Sequence, residues 1–298
     1  DDQLDALQSD SRIHGTRGGE MDFALVFDGL TAEREQGITI DVAYRYFASA
    51  KRSFIVADCP GHEQYTRNMV TGASTADLAV ILIDGTRGVL TQTRRHAFLC
   101  HLLGIRHFAL AVTKMDLVGY DQSRFQFLSS EFANLAAQLG LREFAAIPVS
   151  GVHGDNVAEP SHNMPWYEGP TLAQHLDRVE VPPPAGLLRL PVQSAVRPNS
   201  SFRGIAGLVA SGSVAPGDPV RILPSDRTTR VKQVLVGPDT VARAVAGQSV
   251  TLTVVDEVDC SRGDVVAADS DPPAAADQFE ATIVWMDEDA LLPGRGYW

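Results

Sequence analysis

Two uninterrupted apolar runs, Leu78-Ala79-Val80-Ile81-Leu82-Ile83 and Phe108-Ala109-Leu110-Ala111-Val112, most constrain what this chain folds into. A strand that is apolar at every position has no face left for water, so it is covered on both sides. Residues 91–103 between the runs read as a helix stopped by Gly104. Upstream, an alternating strand over 41–47 and a strand over 54–57 precede a helix over 63–73. Downstream, Asp121 is an N-cap, and Phe125, Leu128, Phe132, Leu135 and Leu139 form the apolar stripe of a helix that Gly140 ends. A last strand follows over 144–149. Pro170, at a first helical turn, opens a short helix with Leu172, Leu176 and Val179 on one face. Strands alternating with helices predict a mostly parallel α/β sheet.

The pattern changes after Val181-Pro182-Pro183-Pro184-Ala185-Gly186, a stiff linker. Short β-type runs over 188–196, 204–210, 219–223, 229–236, 250–255 and 264–267 are separated by Gly, Pro and Asp turns. Closely spaced strands without helices predict a small antiparallel barrel. A further strand is expected over 280–286. The expected domains are 1–181, 186–270 and 277–298, the last being the start of a third β domain.

Four loops follow strand ends, where open α/β sheets bind ligands. Asp58-Cys59-Pro60-Gly61-His62 puts a carboxylate able to hold a magnesium ion beside a glycine whose N–H can approach a terminal phosphate. In Gly37-Ile38-Thr39-Ile40 the Thr39 hydroxyl is a suitable magnesium ligand, in a loop of the kind that orders around a γ-phosphate. Thr113-Lys114-Met115-Asp116 offers a carboxylate that accepts from guanine N1–H and its exocyclic amine, donors adenine lacks, and a lysine stem to lie on the base. Backbone N–H groups of Pro148-Val149-Ser150-Gly151 can reach guanine O6. Each loop alone also has a structural reading as a strand-end turn. Their order and placement together point to a GTP site.

The chain resembles the translation-factor class of GTPases over nearly its whole length, and within it the large, GTPase subunit of sulfate adenylyltransferase. The closer resemblance rests on residues 18–24, 30–44, 58–77 and 88–96, on Met164-Pro165-Trp166-Tyr167, and on Arg197-Pro198-Asn199 and 202–214. It implies a P-loop-NTPase-like domain followed by a translation-factor-type barrel. It also implies a smaller catalytic partner subunit that makes adenosine 5′-phosphosulfate and pyrophosphate from ATP and sulfate, driven by GTP hydrolysis. By the same resemblance His62 positions the attacking water, Asp58 and Thr39 serve magnesium, and Lys114 and Asp116 read guanine. Thr113 stands where the family has Asn.

A second departure is larger. The sequence has no Gly-x-x-x-x-Gly-Lys-Ser/Thr phosphate loop. In the family that loop and a first strand precede the residues seen here, and the strand lies between those ending at Asp58 and Asp84. A gap in the sheet is expected, the sequence is read as cut at both ends, and residues 1–298 alone are expected to bind GTP poorly. Two other readings are a translation elongation GTPase and a docking module impaired in nucleotide binding.

Composition excludes less. A net charge of −12 weighs against a long nucleic acid as main partner. No apolar run approaches the roughly 20 residues of a membrane span, and no secretion leader is visible. Cys59, Cys100 and Cys260 make no metal-type pair, which fits a reducing cytoplasm.

Overall fold

The structure is a computed structural model that describes residues 39–141, 144–182, 185–197, 202–278, 280–281, 283–287 and 289–297. Residues 1–38, with Gly37 and Ile38 of the threonine loop among them, lie outside these. Contacts divide the chain into two compact units, Asp1–Val181 with Trp285–Trp298, and Pro182–Val284.

In the first unit, β1 (Ala43–Ala48) and β2 (Ser53–Asp58) pair antiparallel, Ala43 opposite Asp58. The chain continues through α1 (Thr66–Ala73), β3 (Leu78–Asp84), α2 (Thr91–Leu102), β4 (His107–Thr113), α3 (Gln122–Gln138), β5 (Phe144–Pro148) and α4 (Leu172–Arg178). Strands β3, β4 and β5 form a parallel sheet in that order. The central strand explains the second apolar run: Phe108, Ala109, Leu110, Ala111 and Val112 are all buried. Helix α3 lays Phe125, Leu128, Phe132 and Leu135 into the core, with Phe132 edge-on to Phe144 at 5.0 Å. Leu139, expected in the same stripe, is the half-buried C-cap instead.

Among the described residues β2 and β3 neither pair with each other nor share a strand. Ile55 and Leu82 are correspondingly 68% and 65% exposed. Apolar strand residues thus stand exposed on both strands. The turn between β1 and β2 is fastened elsewhere. The Ser49 hydroxyl donates to Asp177 at 2.6 Å, and Arg52 donates to the carbonyls of Leu176 and Val179 at 3.2 and 2.8 Å.

Helix α4 corrects one expectation. It begins at Leu172, capped by Thr171, and Pro170 precedes the cap. Thr171 and Gln174 form a reciprocal capping box, so the cap chemistry outweighs the proline preference for a first turn.

Helix α1 packs closely because it carries Gly72. A β-carbon there would lie 2.5 Å from Cys59 Sγ and 3.1 Å from Val42 Cγ1. We expect Gly72→Val to cost about 1–3 kcal/mol by overpacking, read as a lowered thermal midpoint. Adding Cys59→Ala should restore part of it, because the sulfur is the nearest obstacle.

The second unit is a barrel. Strand order β11-β10-β13-β7-β6-β14-β9 closes through a further pairing of β10 with β9. The strands are β6 (Arg189–Val196), β7 (Gly204–Leu208), β9 (Pro219–Leu223), β10 (Arg227–Val236), β11 (Asp239–Val241), β13 (Ser249–Val254) and β14 (Val265–Ala268). Long β10 makes closure possible: residues 227–230 pair with β9 and residues 231–235 with β13. Leu190, Val209, Val214, Val220, Ile222, Val234, Leu252 and Val266 fill the interior with no exposure. Such side chains contribute about 1.5–3 kcal/mol each on burial. Two-residue strands β8 (Ser213–Val214) and β12 (Ala244–Val245) pair outside the main sheet. Residues 280–286 do not form the expected strand among the described residues. Within that stretch the Met286 carbonyl accepts from Arg67 Nε at 2.9 Å rather than from a neighbouring strand.

Candidate functional site

Asp58 ends β2 half-buried, and the β1–β2 register puts the chain entering β1, including half-buried Thr39, at the same end. Asn68 of α1 fastens that entry by donating from Nδ2 to the Ile40 carbonyl at 2.7 Å. Beyond Asp58, Cys59 is half-buried, its thiol pushed up to about 11 by burial and then by the Asp58 charge. It is therefore a packed thiol, not a reactive one. Pro60 is buried and Gly61 exposed, and a β-carbon on Gly61 would meet nothing within 4 Å. The space before that backbone is open.

His62 is exposed and caps a short 3₁₀ turn (Glu63–Tyr65), its Nδ1 accepting from the Gln64 N–H at 3.4 Å. Glu63 holds the turn against α2: its carboxylate accepts from Gln92 Nε2 at 3.2 Å and pairs with Arg95 at 3.4 Å. The loop after β2 thus meets the helix that follows β3.

The β3–β4 register sets Asp84 beside Thr113, and the β4–β5 register sets Val112 beside Pro148. The loops after these three strands therefore share one edge. Thr113 donates its hydroxyl to the Ile83 carbonyl at 3.2 Å, joining β4 to β3. Lys114 takes the left-handed conformation with φ 58° and ψ 36°. Its ammonium donates to Asp84 at 2.8 Å. Burial raises the Asp84 pKa, but hydrogen bonds from Lys114 and Thr86 outweigh it and hold the carboxyl at about 2. Asp84 is thus ionised at any ordinary pH and gives Lys114 a partner.

Met115 is buried, and its N–H donates to the Val149 carbonyl at 3.2 Å, linking the third loop to the fourth. Asp116 Oδ1 is buried and has no hydrogen-bond partner among the described residues. A carboxylate oxygen in that state costs about 1–3 kcal/mol or more. A ligand that brings two N–H donors removes the penalty, which makes the chemistry of guanine a fit. In the fourth loop Ser150 is fully buried and its N–H donates to the Asp155 carbonyl at 3.2 Å. Gly151 is the exposed amide of that pair.

The structure thus brings Lys114, Met115 and Asp116 together with Val149 and Ser150, and joins His62 to α2 through Glu63. Sequence reasoning overlooked Asp84, although it ends an apolar run as Asp58 does. It also overlooked the Gln92–Glu63–Arg95 contact, which no local pattern encodes. No group of three or more His, Cys, Asp and Glu side chains suited to a metal ion occurs among the described residues. Among them no helix is long and apolar enough to cross a membrane.

Residues 3–202 match the elongation factor Tu GTP binding domain. The bifunctional enzyme CysN/CysC of Xylella fastidiosa is 56% identical over 300 residues, taking in 100% of this chain and 48% of that protein. The bifunctional enzyme NodQ of Rhizobium sp. is 57% identical over 299 residues, 100% of this chain and 46% of that protein. Sulfate adenylyltransferase subunit 1 of Methylorubrum extorquens is 54% identical over 300 residues, 100% of this chain and 64% of that protein. The chain therefore spans about half to two thirds of the length of these relatives.

Proposed function

The chain belongs to the elongation factor Tu GTP-binding domain family, and on that premise we propose that it is part of the GTPase subunit of a sulfate adenylyltransferase. The observation that carries the nucleotide half of this reading is the buried, unpartnered Asp116 Oδ1 at the carboxyl end of β4. Its two natural donors are N1–H and the exocyclic amine of guanine. Lys114 covers the base, Thr113 ties the loop to β3, and Ser150 and Gly151 border the base from β5. Asp58 and the Thr39 hydroxyl would hold a magnesium ion, which supplies charge neutralisation at the phosphates. One carboxylate with one hydroxyl suits a cation that keeps several waters and phosphate oxygens. Gly61 leaves its N–H open to the γ-phosphate, and His62 orients the attacking water.

The sulfate half rests on the names of the relatives. On that reading a smaller cytoplasmic partner subunit makes adenosine 5′-phosphosulfate and pyrophosphate from ATP and sulfate, and hydrolysis of GTP drives the transfer. The 298 residues contain no Gly-x-x-x-x-Gly-Lys-Ser/Thr loop, so by themselves they bind GTP weakly. The test is therefore made on the full-length protein purified with its partner. Formation of adenosine 5′-phosphosulfate should rise on adding GTP and should not with a non-hydrolysable analogue. Yields indifferent to GTP would sink the assignment. Hydrolysis stimulated by ribosomes, with no effect on adenylyl transfer, would favour a translation factor instead.

Gly61→Ala offers a sharper check of the phosphate loop. Open space around Gly61 means the methyl costs no packing. It occupies the approach a phosphate needs, and misplacing the reacting group by about 1 Å costs on the order of a hundredfold in rate. The thermal midpoint should hold while GTP hydrolysis falls by that order.

A further inference from the structure

One buried carboxylate in this unit has no part in the reading so far. Asp155 is 9% exposed and lies in the segment between β5 and α4. It accepts from the Tyr120 hydroxyl at 3.2 Å, the Ser161 hydroxyl at 2.6 Å and Asn163 Nδ2 at 3.3 Å. All three donors are neutral, and none of the ion pairs found among the described residues involves Asp155. Burying a charge with neutral donors alone is costly unless the network it organises is needed.

What it organises is two loops. Tyr120 ends the turn that begins at Lys114; it has φ 57°, and its N–H donates to the Met115 carbonyl at 2.8 Å. Its own carbonyl accepts from Trp166 Nε1 at 3.1 Å. Tyr120 is thus gripped from both ends, by Asp155 through the hydroxyl and by Trp166 through the backbone. On the other side, the Asp155 carbonyl accepts from the Ser150 N–H. Neighbouring Asn156, 2% exposed and also at positive φ, donates from Nδ2 to the Pro148 carbonyl at 2.9 Å. The segment 155–166 therefore spans the loop bearing Asp116 and the loop bearing Ser150 and Gly151. Among the described residues one backbone hydrogen bond, from the Met115 N–H to the Val149 carbonyl, joins those loops directly.

We propose that Asp155 is a positioning residue for base recognition, fixing Asp116 and Gly151 at the separation one purine edge requires. It touches no nucleotide and acts through Tyr120 and the Ser150 backbone. The proposal rests on the guanine reading above and extends it to the residue that sets selectivity. A carboxylate that must meet two donors at once loses more from a displaced loop than one meeting a single donor. Loosening the clamp therefore lowers the preference for GDP over IDP, which lacks the exocyclic amine. General destabilisation would leave that ratio alone.

The experiment uses the full-length protein with every tryptophan other than Trp166, Trp285 and Trp298 among them, replaced by phenylalanine, so that Trp166 reports the clamp without nucleotide. Affinities for GDP and IDP are measured for the parent, Asp155→Ala, Asp155→Asn and Tyr120→Phe. Expected are red-shifted Trp166 emission and a GDP:IDP preference about tenfold lower in Asp155→Ala. Asp155→Asn, which keeps an acceptor for Tyr120, should recover part of it. Tyr120→Phe removes only the hydroxyl bond and serves if the alanine variant does not fold. A lower melting temperature with the preference unchanged makes Asp155 purely structural and overturns the proposal, as does unshifted Trp166 emission. A parent protein that binds neither nucleotide removes the guanine reading and this proposal with it; a parent that prefers GDP, with variants that keep the preference, removes only this proposal.

Discussion

Asp116→Asn, introduced into the full-length protein, should lose GDP and GTP affinity by roughly 10²- to 10⁴-fold and gain affinity for xanthosine nucleotides. On the proposed reading the carboxylate accepts both donors of the guanine edge, and a hydrogen bond to a charged group is worth about 1.5–3 kcal/mol. Losing or inverting two such bonds gives that range. Xanthine keeps N1–H and replaces the amine by a carbonyl oxygen, so an amide presenting one acceptor and one donor matches it. The sign of the stability change is a separate check. In the absence of nucleotide Asp116 Oδ1 is buried and unpartnered among the described residues, and an amide is less costly to bury than a carboxylate. The nucleotide-free variant should melt no lower than the parent, and a site that trades stability for binding predicts that direction. If Asp116→Asn retains parental GDP affinity, the base site lies elsewhere.

The features legible in the sequence were those with a local cause. Continuous apolar runs announced β3 and β4, because a strand covered on both faces has no freedom to alternate. Asp121 and Gly140 bounded α3, because caps act on the backbone beside them. The barrel strands were found where Gly and Pro turns bracket β-branched runs. Strands β8, β11 and β12 were not, since two or three residues carry no periodicity and exist only through a partner such as Val214 for Ala244.

At the candidate site the same division holds. Asp58, Gly61, His62, Lys114 and Asp116 stand in short motifs whose residue types state their chemistry. What holds them in place does not. Lys114 meets Asp84 thirty positions away, Glu63 meets Gln92 and Arg95, and Tyr120 meets Asp155. None of these pairs shares a helix face or a strand register, so only the folded chain brings them together. The loops are thus specified locally, and the clamps that set their mutual distance are specified by tertiary structure.

That distinction makes His62 the residue whose two roles most need separating. As the cap of the turn Glu63–Tyr65 its ring accepts the Gln64 N–H. As the proposed catalytic residue it orients the water that attacks GTP. Asparagine is among the best N-caps, so His62→Asn keeps the turn and removes the imidazole, whereas His62→Ala removes both. Loss of a positioned acid–base group costs about 10²- to 10⁴-fold in rate. Both variants should therefore hydrolyse GTP that much more slowly, with nucleotide affinity unchanged, the pattern of a group acting only in the transition state. Glu63 stays bound to Gln92 and Arg95 in either case, so the loop keeps its place and the comparison is clean. Since hydrolysis is what drives adenylyl transfer on this reading, the GTP-dependent gain in adenosine 5′-phosphosulfate should disappear in the same variants. Full hydrolysis by His62→Asn would reduce His62 to a cap, and the water would need another residue to orient it.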